Sequence, residues 1–129
     1  MSAQAQTIDQ ELDRLDGLWE DGLADTYRTY LDVVDSHDDA AQPKLALAAA
    51  LIEAGIQLQG LGGPAAAPAA LLMGDLCLAR ASRLIADTAS QNLQIAFARV
   101  IEEISAAAAS GGTSRPVRDL LVGALEGGR

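Results

Sequence analysis

The fold is decided by the stretch LLMGDLCLARA, residues 71–81, which has a helical apolar pattern interrupted by a glycine and a carboxylate. A helix turns by about 100° per residue, so each side chain can be placed around its axis. Asp75 then falls at the centre of an otherwise apolar or small face, whose members are Leu71, Leu72, Leu78, Ala79, Ser82 and Ala86. A carboxylate on such a face is costly unless a partner satisfies it. The sequence therefore predicts a specific partner for Asp75, and holding neighbouring backbone or a basic group is favoured over catalysis.

Five further helices are predicted around this one, which itself spans about 68–88. The N-terminal one begins at Thr7 and has one apolar stripe, and a shorter helix follows that has Tyr27, Tyr30, Leu31 and Val34 at helical spacing. Pro43 suits the first turn of a helix that runs to about Gly60 and is apolar on two opposite faces, with Glu53 and Gln57 as its polar strip. Ser90 or Asn92 caps the next helix, and Ser114 and Pro116 begin the last. We expect an all-α fold of about six helices in a single domain, residues 1–129.

Composition narrows the classes of protein that the chain fits. Half of its 129 residues are hydrophobic but only 3% are aromatic, which favours helices over a β-sandwich or barrel. The net charge of −9 disfavours nucleic acid and anionic membrane surfaces as partners. The N-terminus has no basic and apolar leader, and no apolar stretch is long enough to span a bilayer. We therefore expect a cytoplasmic protein without stable membrane insertion.

The residues that usually carry chemistry are scarce. Cys77 is the single cysteine and is predicted to be a buried, inert thiol. His37-Asp38-Asp39 is the one cluster of histidine and acids, and a solvated turn is favoured there over a metal site. The glycine-rich segment 60–63 lacks the preceding strand and the basic residue of a phosphate loop. The inventory predicts neither a catalytic residue nor a metal site, and so no enzyme acting alone.

Two helices, 43–60 and 68–88, are too apolar for a chain of this length to cover on every side. Their excess apolar surface predicts contact with another subunit.

The order of these segments resembles the trans-prenyl diphosphate synthases. Residues 47–59 are similar to the helix that leads into the first aspartate-rich motif of that family, and 71–81 resembles the later helix that opens with Gly-Asp and reads on through Ala-Arg-Ala. Ile101-Glu102-Glu103-Ile104 fits the helix after that, so the similarity covers roughly residues 43–108. The resemblance implies a truncated isoprenoid synthase fold.

The departures from that family concern catalysis. Where the synthases carry Asp-Asp-x-x-Asp, residues 59–64 read Gln-Gly-Leu-Gly-Gly-Pro and contain no acid. The basic substrate-binding loop and the second aspartate-rich motif have no room in the chain. Without clustered carboxylates, magnesium cannot be held against a diphosphate, so no catalytic residue of the family carries over.

Without these catalytic motifs, the chain resembles the short, noncatalytic subunits of heterodimeric long-chain synthases, the family of component I of heptaprenyl diphosphate synthase. The resemblance implies a catalytic trans-prenyltransferase subunit as partner, with magnesium bound by that partner, and a role in activity and product length on the way to quinones such as menaquinone. It places the contact on the Gly-Asp helix and its neighbour, with Gly74 and Asp75 as structural residues. The expected interface comprises Leu72, Leu76, Leu78, Ala79 and Ser82 packed across it against Leu93, Phe97 and Val100.

Two other readings stay open. The main one is a homodimeric helical scaffold or adaptor without prenyl chemistry, and the isolated chain of a heterodimer is also expected to form a homodimer. The second is a small enzyme that uses His37 with Asp38 or Asp39.

Overall fold

The computed structural model describes residues 22–35, 37–59, 68–88, 90–111 and 116–127. These residues form five α-helices and no strand: α1 (Ala24–Leu31), α2 (Gln42–Gln59), α3 (Pro68–Thr88), α4 (Gln91–Ser110) and α5 (Val117–Gly127). The predicted all-α fold is confirmed. The predicted helix that starts at Thr7 lies outside the described residues except at its end, and the glycine-rich segment 60–63 lies wholly outside them.

The helix ends follow local signals that the sequence carries. Ser90 caps α4, because its Oγ accepts a hydrogen bond from the backbone N–H of Leu93 at 3.2 Å. Gly111 ends that helix in the left-handed conformation with φ 72°, which favours glycine. The bounds of α2 and α3 are close to those that the sequence predicts, because the glycines and prolines between them end one helix and precede the next.

Helix α2 lies at the centre of the molecule. Its most extensive contact is with α3, and it also contacts α1 and α5. Its buried residues occur around nearly the whole helix: Leu45, Ala46, Ala48, Ala49, Ala50, Leu51, Ile52, Glu53, Gly55 and Ile56. The many alanines leave room for neighbours to approach closely, so the chain itself covers much of this apolar helix and a second subunit is not needed for that purpose.

The other helices complete one core. The stripe on α4 consists of Leu93, Phe97, Val100 and Ile104, all buried as its period predicts. Helix α5 packs on α4 and buries Leu120, Leu121, Ala124 and Leu125. None of the helices in the described ranges combines the length and apolar character that crossing a bilayer requires.

Candidate functional site

The outward side of α3 carries two of the three large apolar side chains that are exposed among the residues the structure describes. Leu71 is 42% exposed and Leu72 is 49% exposed, so two adjacent large apolar side chains of α3 face solvent. Ala79 and Ser82 lie exposed on the same side, while Leu76 and Leu78 are partly buried at its edges. We call this surface, from Leu71 to Ala86, the outer face of α3. Of the five interface residues that the sequence predicts on this helix, four lie on or beside this face, whereas Leu78 packs against Gly55 of α2 within the chain's own core.

The three predicted interface residues of α4 lie elsewhere. Leu93 and Phe97 are each 2% exposed and Val100 is 6% exposed, and all three belong to the chain's own core. Because this burial needs no second subunit, these residues are not available for contact with a partner. The part of the predicted interface that is exposed is therefore on α3.

Asp75 lies on the outer face of α3 and has a specific partner, as the sequence predicts, but the partner is of a different kind from the one expected. Its carboxylate is exposed, and its Oδ1 accepts a hydrogen bond of 2.6 Å from the Gln59 side-chain amide at the end of α2. The partner is thus neither backbone nor a basic group. The apolar periodicity grouped the correct residues on one face, but this face points outward.

Glycines form the contact between α2 and α3. A Cβ on Gly74 would lie 2.9 Å from the carbonyl oxygen of Gly55 and 2.6 Å from Cγ of Gln59. A Cβ on Gly55 would in turn lie 3.0 Å from the carbonyl oxygen of Gly74. A real Cβ essentially never lies as close to a carbonyl oxygen as it would at Gly74, and the approach at Gly55 is tighter than nearly all real contacts, so both positions favour glycine at this helix spacing. Gly74 does allow close helix packing, as the sequence suggests, but the helix that it approaches belongs to the same chain.

A buried polar cluster joins α1, α2 and α5. Glu53 is 5% exposed, so its prediction as part of a polar strip was wrong. Its Oε1 accepts hydrogen bonds from the Tyr30 hydroxyl at 2.9 Å and from Nε of Arg118 at 3.0 Å, and its Oε2 accepts one from Nη2 of Arg118 at 2.9 Å. This forked pair satisfies both carboxylate oxygens. These hydrogen bonds join α1, α2 and α5 at the buried carboxylate of Glu53.

The electrostatics of this cluster follow from its burial. Burial raises the pKa of the Tyr30 hydroxyl above its ordinary value, and the neighbouring Glu53 carboxylate raises it further. The hydrogen bonds and charge of Glu53 raise the pKa of Arg118. Tyr30 therefore stays neutral and Arg118 stays charged at physiological pH, which is the arrangement that a buried carboxylate requires.

The sequence carried one signal for this cluster. Glu53 is the single charge in the run of buried positions of α2, and a lone acid in such a run indicates a partner from elsewhere in the fold. Nothing in the pattern identified Tyr30 or Arg118 as that partner.

A cavity of about 390 Å³ lies between α1 and α2, close to this cluster. Its wall combines apolar and polar side chains: Gly22, Leu23, Thr26, Glu53, Ala54, Gln57 and Leu58. Thr26 donates its hydroxyl to the carbonyl oxygen of Gly22, and Glu53 is already paired. The described wall therefore presents no unpaired charge to a ligand.

The cluster His37-Asp38-Asp39 lies in the turn before α2. Asp38 and Asp39 are exposed, in agreement with a solvated turn. His37 is partly buried and its Nε2 donates a hydrogen bond of 2.8 Å to the carbonyl oxygen of Leu125 near the end of α5. Across the ranges that the structure describes, no three His, Cys, Asp or Glu side chains are grouped to hold a metal ion.

Cys77 is fully buried between helices, as predicted. Burial raises the pKa of its thiol to about 11, so the reactive thiolate is scarce at physiological pH.

No protein family, curated protein or solved structure matches the chain.

Proposed function

We propose that this chain is the noncatalytic subunit of a heteromeric long-chain polyprenyl diphosphate synthase. The outer face of α3 is the observation that carries the proposal. It exposes Leu71 and Leu72 on the very helix that the sequence resemblance assigns to subunit contact. A face of this kind is stabilised when a second protein covers it.

The order of elements is also consistent with this role. The helix that resembles the one before the first aspartate-rich motif is α2, and the Gly-Asp helix α3 packs directly against it. The glycine contact fixes how α3 presents its outer face, since Gly74 lies on the inward side. In this proposal the catalytic subunit binds magnesium and diphosphate, and apolar side chains of this chain limit or complete its lipid tunnel.

The test is reconstitution with a catalytic subunit. The chain is co-purified with each full-length trans-prenyltransferase of the same genome, and condensation of isopentenyl diphosphate with an allylic primer is measured together with product length. We expect a complex that is active where the separate subunits are not. Condensation by this chain alone would contradict the proposal, as would failure to associate with every such subunit.

Two variants locate the contact. Leu72→Glu places a charge on the outer face of α3 and is expected to abolish association while the chain stays folded, because this side chain is already half exposed. Ile95→Glu is the matched control, since it replaces a 43% exposed apolar side chain on α4. Loss of association in both variants would place the partner on α4 as well.

The alternative, a homodimeric helical scaffold, uses the same exposed face. It would be favoured if the isolated chain formed a stable dimer that Leu72→Glu dissolved and if no synthase subunit joined it.

A further inference from the structure

We draw no further inference here: the strongest candidate, the outer face of α3 with its exposed Leu71 and Leu72, belongs to the surface already described, presents exposed arginines and acids together, and has nothing in the described residues to show what covers it.

Discussion

Gly55 and Gly74 face each other where α2 and α3 make contact, and each leaves space that the backbone of the other helix fills. A Cβ on either residue would lie within 3.0 Å of the carbonyl oxygen of the other. Glycine inside a helix costs about 1 kcal/mol relative to alanine. At these two positions that cost is offset by a close helix contact that a larger residue would prevent. The two glycines allow α2 and α3 to pack closely through this side of α3, so the outer face of α3 lies on the opposite side, away from the core.

Gly74→Ala is expected to destabilise the chain although alanine is the better helix former. The added methyl meets the carbonyl oxygen of Gly55, which cannot move without shifting α2. Overpacking of this kind costs about 1–3 kcal/mol, which outweighs the gain in helix propensity. Chemical denaturation followed by circular dichroism gives the free energy of unfolding.

Gly123→Ala is the matched control for that substitution. Gly123 lies within α5, is exposed, and has nothing within 4 Å of an added Cβ. The same chemical change should here stabilise the chain by about 0.5–1 kcal/mol. Equal effects of the two substitutions would show that the contact between the two glycines does not determine the packing of α2 on α3.

Arg118→Ala is expected to be strongly destabilising because it leaves Glu53 buried with Tyr30 as its one described partner. Removing one member of a fully buried ion pair costs about 3–5 kcal/mol. The Arg118 side chain is 48% exposed, so we expect a smaller loss of about 2–3 kcal/mol. Breaking the exposed pair of Arg28 and Asp25 by Arg28→Ala should cost less than about 0.5 kcal/mol.

A second substitution tests whether charge is the cause of that loss. Glu53→Gln removes the charge that Arg118→Ala leaves unpaired, so the double variant should be more stable than Arg118→Ala alone. If the double variant is less stable by the sum of both single losses, the two residues act independently and the buried charge is not what destabilises the chain.

The helices could be predicted from the sequence better than their orientation. Periodicity and the glycine and proline positions predict the extents of α2 and α3, because these signals are local. Helix α3, however, has two apolar sides, and periodicity does not say which one faces inward. The structure places Gly74, Cys77 and Ala81 inward, since small side chains allow α2 to approach, and Leu72 remains outside.

The polar cluster could not be derived in the same way. Tyr30 is 23 residues from Glu53 and Arg118 is 65 residues from it, so no local spacing connects them. The two donors meet the carboxylate only when α1 and α5 pack on α2. The lone acid of α2 indicated that a partner exists, whereas the identity of that partner depends on tertiary structure.

His37→Ala is expected to loosen the end of α5. Leu125 contributes one of the last four carbonyls of that helix, which have no partner within the helix, and His37 Nε2 supplies the missing donor. Loss of this hydrogen bond should lower the free energy of unfolding by about 1 kcal/mol. Amide hydrogen exchange should accelerate near the end of α5 first.

Asp38→Ala, at the exposed neighbouring position, is the control and should leave that exchange unchanged. An equal effect of both substitutions would mean that the turn rather than the hydrogen bond stabilises the end of α5.

Alkaline pH should destabilise the chain through Cys77. The unfolded chain loses the thiol proton near the ordinary pKa of 9.0, whereas burial holds it in the folded chain to about 11. Between these pH values the folded state binds more protons, so stability from this group is complete below pH 9.0 and is lost as pH rises towards 11. As the pH rises from 9.0 to 11, this difference in pKa corresponds to a loss of folding free energy on the order of 2 kcal/mol. Tyr30 adds a loss of the same sign above its ordinary pKa of 10.0.

Denaturation at a series of pH values should therefore show a steeper decline of the free energy of unfolding for the wild-type chain than for Cys77→Ala, whatever the stability of the variant at neutral pH. Identical slopes would mean that the thiol ionises as readily in the folded chain as in the unfolded one.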